Sequence, residues 1–126
     1  MRRLAEDKLA AADMVLRFNG PGGGQDLALD PDVRREVLLV FKEAINNVVR
    51  HSEGTEVEVD LRVERGRLRL LVRDNGRGFD PALETEGNGL ASMRRRAAGL
   101  GAELLVDSAP GRGATVTLSL ARARRV

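Results

Sequence analysis

Two groups of residues have the types and spacing to do chemistry. In the first, Glu43, Asn47 and His51 stand four apart, and Arg50 is three beyond Asn47. Residues three and four apart are neighbours on a helix, so a carboxylate, an amide, a guanidinium and an imidazole share one line. Val33, Val37, Val40, Phe41, Ala44, Ile45 and Val48 recur at helical spacing through the same stretch and define a broad core face. The polar line flanks that face instead of opposing it. Polar side chains at the rim of a core cost free energy unless something satisfies them, and a ligand or a metal would do so. An ordinary exposed face with a Glu43–Asn47 pair accounts for the same spacing, and the helix alone does not decide.

The second group is Asp74-Asn75-Gly76-Arg77-Gly78-Phe79. Residues 67–73 alternate apolar and charged and read as a strand, so Asp74 lies where a strand leaves its sheet. A carboxylate there can accept a hydrogen bond from a ligand amine. Glycines at 76 and 78 carry no Cβ, which lets a flat ligand approach the backbone. Asp-Asn-Gly is equally a common turn. A third stretch, Gly87-Asn88-Gly89-Leu90, precedes a helical pattern over 90–100. Glycines before a helix N-terminus expose backbone amides that favour an anion. On that helix, at least two of Arg94, Arg95 and Arg96 read as solvated surface. Gly20-Pro21-Gly22-Gly23-Gly24 lacks the lysine and hydroxyl that end a P-loop and reads as a connector.

The elements that must position these groups follow from pattern. A helix is expected over 2–12 with Leu4, Leu9 and Ala12 inward, then a strand over 14–18. Asp30 can cap exposed amides and Pro31 suits a first helical position, so the main helix starts there and runs to about residue 51. Two strands, 56–63 and 67–73, form a hairpin around Arg65-Gly66, with one outer face mostly acidic and the other mostly basic. Residues 80–88 read as a short mobile loop. Gly99 and Gly101 stop the helix of 90–100, and strands follow over 102–106 and 115–120. Residues 121–126 are a basic tail. One apolar face per strand means a sheet covered on one side. The fold class is α+β, a two-layer sandwich in which helices cover one face of a mixed, mostly antiparallel sheet.

Composition sets outer limits. The 126 residues suit one domain with one core. Hydrophobic content of 42% with 32% charge is that of a soluble globular protein. Cysteine is absent, which removes disulfides and thiolate chemistry and fits a reducing compartment. No apolar run approaches the roughly 20 residues that span a bilayer. Residues 4–9 include Glu6, Asp7 and Lys8, so no signal peptide is expected. Net charge is +2 and the pI about 9.9, the basic excess lying in two arginine groups, 94–96 and 122–125. Without tryptophan or tyrosine, base stacking would fall to three phenylalanines, and no nucleic-acid partner is expected.

Three motifs now stand in order: Glu43-x3-Asn47-x2-Arg50-His51, Asp74-x-Gly76-x-Gly78-Phe79 and Gly87-x-Gly89-Leu90. Together they resemble the nucleotide-binding fold shared by gyrase, the large heat-shock chaperones, sensor histidine kinases and mismatch-repair ATPases, the Bergerat-type ATP-binding fold. The resemblance covers about residues 31–120 of a single domain, 1–126. Within the superfamily the chain looks most like the catalytic ATP-binding domain of sensor kinases that signal to NarL-type response regulators. The stretches Lys42-Glu43-Ala44-Ile45-Asn46-Asn47-Val48-Val49-Arg50-His51 and Gly87-Asn88-Gly89-Leu90-Ala91-Ser92-Met93-Arg94-Arg95-Arg96 carry that closer likeness.

The resemblance implies roles. Asp74 would accept a hydrogen bond from the adenine amino group, with Gly76 and Gly78 admitting the ring. Asn47 would hold a magnesium ion that bridges the phosphates, and Arg50 and His51 would contact phosphate oxygens. Glu43 would orient the phosphoryl acceptor. Gly87, Gly89 and Leu90 would belong to a lid over the nucleotide. The cofactors implied are ATP and Mg2+. The partners implied are a histidine-bearing dimerisation domain of the same kinase and a NarL-type response regulator, with no membrane contact by this domain. The place implied is the cytoplasm, the parent protein being open to membrane anchoring.

Two departures qualify this. Family members usually carry Gly-Thr in the last motif, and this chain has Gly113-Ala114, so the hydroxyl beside Asp74 is missing unless Thr115 substitutes. The only histidine, His51, falls in the nucleotide site, so no phosphoacceptor is present. The chain is expected to be one domain of a longer protein, a histidine protein kinase domain that does not autophosphorylate by itself. An anti-sigma-factor-type serine kinase and a non-catalytic nucleotide-binding signalling module are the alternatives.

Overall fold

The structure, a computed structural model, describes residues 1–20, 30–64, 66–78 and 90–121. In chain order come α1 (Arg2–Ala11), β1 (Val15–Asn19), α2 (Pro31–Asn47), a π-helical turn (Val48–Ser52), β2 (Glu56–Glu64), β3 (Arg67–Asp74), α3 (Leu90–Leu100), β4 (Glu103–Ser108) and β5 (Ala114–Leu120). The strands form one sheet of order β1-β2-β3-β5-β4. Among the described strands β1 and β2 run parallel, and the other pairs are antiparallel. This is the mixed α+β arrangement the sequence predicts.

Alternation decides which face of the sheet is covered. In β2, Val57, Val59 and Leu61 are buried, and in β3, Leu68, Leu70, Val72 and Asp74. The apolar ones join Ala5 and Leu9 of α1, Val37, Val40, Phe41, Ala44 and Ile45 of α2, and Leu90, Met93 and Ala97 of α3 in one core. Burying each large apolar side chain contributes about 1.5–3 kcal/mol relative to leaving it exposed. In α1 the inward pair is Ala5 and Leu9, with Leu4 and Ala12 only partly buried. On the outer face Glu58 faces Arg73 across the hairpin at 3.7 Å, as an acid-against-base register predicts. The pattern is interrupted in mid-hairpin, where Arg62 faces Arg69 and Asp60 pairs with Arg62 on its own strand, and it resumes where Glu64 stands opposite Arg67.

α2 begins as its sequence demands. The Asp30 side chain accepts from the Asp32 N–H at 3.0 Å, and Pro31 takes the first helical position. It ends differently from the expectation. Regular α-helix stops at Asn47, and the chain widens into the π-helical turn, closed by Glu53 in the left-handed conformation at φ 54°. The wider turn carries Ser52 into the interior, where its polar groups find partners described below. A second correction concerns α3, which runs through Gly99 and is stopped by Gly101 alone. Gly101, at φ 67°, donates to the Ala98 carbonyl, and Ala102 donates to that of Ala97. This is a Schellman stop, whose left-handed residue is best supplied by glycine. Arg96 of α3 pairs with Glu36 of α2 at 2.9 Å, while Arg94 and Arg95 are exposed.

Candidate functional site

Asp74 is the last residue of β3 and continues the buried alternation of Leu68, Leu70 and Val72. A carboxylate therefore stands where the next core residue would be, 7% exposed. A buried carboxylate needs hydrogen bonds or a cation. Two donors supply the need, and both reach the same oxygen. The Ser52 hydroxyl donates to Oδ1 at 2.9 Å, and the Gly76 N–H donates to Oδ1 at 2.8 Å. Oδ2 has no hydrogen-bond partner among the described residues.

The loop after Asp74 is tied down on both sides. The Arg77 N–H donates to the Ser52 carbonyl at 2.7 Å, and Arg77 Nε donates to the His51 carbonyl at 2.6 Å. The Gly111 N–H, in the turn between β4 and β5, donates to the Arg77 carbonyl. Asn75 reaches back to the start of β2, its Oδ1 accepting from the N–H groups of Thr55 (2.9 Å) and Glu56 (3.0 Å). Asp-Asn-Gly is thus a brace between the π-helical turn, the hairpin and the β4–β5 turn.

The glycines of this loop serve that brace. A Cβ on Gly76 would strike the carbonyl and hydroxyl oxygens of Ser52. A Cβ on Gly78, which has φ 65°, would strike the Ala109 carbonyl. The Cβ position is filled by Ser52 at Gly76 and by the carbonyls of Ala109 and Gly113 at Gly78. Close backbone packing is therefore what requires glycine at both positions.

The predicted polar line lies at the rim of the core. Glu43, Asn47 and His51 are half-buried, and Arg50 is exposed. Asn47 is unusual among them: its Oδ1 is shut off from solvent and has no hydrogen-bond partner among the described residues. A buried carbonyl oxygen without a donor is costly, and a hard cation or a water would relieve it. Among the described residues no group of three or more His, Asp or Glu is arranged to hold a metal by itself.

Other expectations fare unevenly. Leu90 is fully buried, and its side chain packs in the core. Gly87, Gly89 and Phe79 lie outside the described residues, as do the 80–88 loop, Arg65 and the tail arginines. Thr115 cannot replace the hydroxyl missing at Ala114. The β3–β5 register pairs Ala114 with Asp74 and Thr115 with Arg73, so Thr115 falls on the outer face, where its hydroxyl accepts from Arg73 Nε at 3.4 Å. Ser52 delivers the hydroxyl instead, from the helical side. Nothing local singles it out: Ser52 is one serine after a helix, and its partner is 22 residues away.

Residues 32–124 match the family described as histidine kinase-, DNA gyrase B- and HSP90-like ATPase, and the chain belongs to that family. Within it, the chain has the catalytic ATPase domain of sensor histidine kinases. It is 35% identical over 97 residues to the sensor histidine kinase LiaS of Bacillus subtilis (strain 168), covering 76% of this chain and 27% of LiaS. It is 37% identical over 94 residues to the sensor protein VraS of Staphylococcus haemolyticus (strain JCSC1435), covering 73% and 27%. The chain thus spans about a quarter of the length of these relatives. Its fold superposes on the blue-light activated histidine kinase EL346 of Erythrobacter litoralis with a TM-score of 0.77 at 22% identity, over 94% of this chain and 39% of that one. The family binds ATP. Among the described residues no helix is long and apolar enough to cross a membrane.

Proposed function

We propose that this domain holds Mg-ATP and presents its γ-phosphoryl group to a histidine on a dimerisation domain elsewhere in the same protein. The observation that carries the reading is the buried Asp74 carboxylate, pinned through Oδ1 with Oδ2 left to accept. Oδ2 takes the exocyclic amine of adenine. Guanine offers a carbonyl at that position and would meet it acceptor to acceptor. Asn47 Oδ1 is the protein's ligand to Mg2+. Magnesium keeps several waters and shares its shell with phosphates, so one side-chain oxygen is enough. Arg50 and His51, at the end of the same helical line, take phosphate oxygens, and Glu43 orients the acceptor histidine. Gly87 and Gly89 belong to the lid, and Gly76 and Gly78 hold the adenine loop in shape. The protein contributes positioning and charge stabilisation, which is most of what phosphoryl transfer asks of it.

The motif-bearing core, 31–120, acts within a single domain in the cytoplasm. Its downstream partner is a NarL-type response regulator, a reading supported by the residues of 42–51 and 87–96. The test supplies the histidine-bearing helix pair of the parent kinase in trans with γ-labelled ATP. Acid-labile, base-stable label on the helix pair, reduced by Glu43→Gln, supports the proposal. Label that stays on nucleotide, with a helix pair shown to be folded and dimeric, overturns it.

A further inference from the structure

Ser52 has no part in the roles above, yet it is the best-buried polar residue at the site, 5% exposed. We propose that Ser52 sets the hydrogen-bond polarity of the adenine pocket. Its hydroxyl fixes Asp74 as an acceptor with Oδ2 aimed outward, so that the base must bring an amine. The proposal rests on the reading of Asp74 as the adenine-selecting carboxylate.

A hydroxyl has one proton to give and two lone pairs to accept with. At Ser52 the Gly54 N–H already donates to Oγ at 3.1 Å. A backbone N–H cannot reverse its direction. The hydroxyl proton has Asp74 Oδ1 in reach at 2.9 Å. The Gly76 N–H donates to that same Oδ1 at 2.8 Å. Two donors converging on one oxygen from different elements fix where that oxygen sits and restrict rotation of the carboxylate about it. Oδ2 is then oriented before any ligand arrives, and prior orientation favours binding by lowering what must be ordered. With one donor removed, the carboxylate turns about its remaining contact, and the distinction between an amine and a carbonyl weakens.

The surroundings agree with a dedicated place for this hydroxyl. The residue opposite Asp74 on β5 is Ala114, which offers none, and Thr115 faces away. The carbonyl of Ser52 receives the Arg77 N–H, so the residue is held at both its polar groups. Only glycine fits against it at position 76. Ser52 is a positioning residue: it acts through Asp74 and does not touch the nucleotide.

The test is calorimetric titration of the 126-residue chain with the magnesium complexes of adenylyl- and guanylyl-imidodiphosphate. Wild type is compared with Ser52→Ala, Ser52→Cys and Asp74→Asn, each with its melting temperature. The expected result for Ser52→Ala is a fall of about tenfold in adenine-nucleotide affinity, about 1.4 kcal/mol. Guanine-nucleotide affinity holds or rises, so the ratio between them narrows. Ser52→Cys keeps the volume but donates weakly, so it shows a smaller narrowing and stands in if the alanine variant does not fold. A merely structural serine would lower both affinities in parallel with the melting temperature, and that result overturns the proposal. So does an unchanged ratio in the serine variants while Asp74→Asn abolishes adenine binding. If Asp74→Asn binds as wild type does, the reading of Asp74 fails, and this proposal fails with it.

Discussion

Replacing Gly76 by alanine puts a methyl group into space held by the Ser52 carbonyl and hydroxyl oxygens. Neither is the loose end of a flexible side chain. The carbonyl belongs to the π-helical turn and already accepts the Arg77 N–H, and the hydroxyl is bonded to Asp74. The turn and the loop must therefore part. Forcing an extra methyl into packed structure costs about 1–3 kcal/mol. Weakening the Ser52–Asp74 and Arg77–Ser52 bonds adds about 1 kcal/mol more for each one lost. With one of these bonds lost, a destabilisation of about 2–4 kcal/mol follows. For 126 residues the entropy of unfolding is about 0.26 kcal/mol/K, so each 1 kcal/mol moves the melting temperature by about 4 °C. Gly76→Ala should then melt about 8–15 °C below wild type by far-UV circular dichroism. Gly99→Ala is the contrast: nothing lies within 4 Å of a Cβ there, and the residue is inside α3. Alanine is favoured over glycine within a helix by about 1 kcal/mol, so this variant should melt a few degrees higher. Equal melting temperatures for Gly76→Ala and wild type would refute the packing account of the loop.

Ile45→Ala empties a fully buried position under the sheet and should cost about 2–5 kcal/mol in urea unfolding. Glu36→Gln breaks the α2–α3 ion pair, but the side chains are 28% and 35% exposed, so solvent screening should hold the loss below about 1 kcal/mol. Asn47→Ala removes the unsatisfied buried oxygen. It should abolish the gain in nucleotide affinity that magnesium brings in calorimetry while sparing magnesium-free binding; an undiminished magnesium effect would rule Asn47 out as the ion's ligand.

What the sequence reveals divides by range. The Asp30 cap, Pro31 and the apolar face of α2 are local, and so is the alternation that carries Asp74 inward at the end of β3; each was readable from neighbours in the chain. The brace around Asp74 was not. Asn75 closes on Thr55 from 20 residues away, and Ser52 on Asp74 from 22, pairings that exist only once the hairpin has formed. Thr115 shows how parity decides: one step along β5 moves a hydroxyl from the covered face to the outer one. Gly76 and Gly78 were rightly singled out as needing no Cβ, but whether a ligand or the chain itself fills that space depends on what packs there. Gly99 and Gly101 looked alike as helix stops, and only Gly101 adopts the positive φ that a stop requires.

The central claim is that Asp74 selects adenine in an ATP-binding domain. It is tested most directly by titrating wild type and Asp74→Asn with a non-hydrolysable ATP analogue, with and without magnesium. The account predicts saturable binding by wild type, strengthened by magnesium, and its loss in Asp74→Asn, because an amide can turn an N–H toward the adenine amine where Oδ2 accepted. Equal binding by the two proteins, or no binding by wild type at millimolar nucleotide, would contradict it.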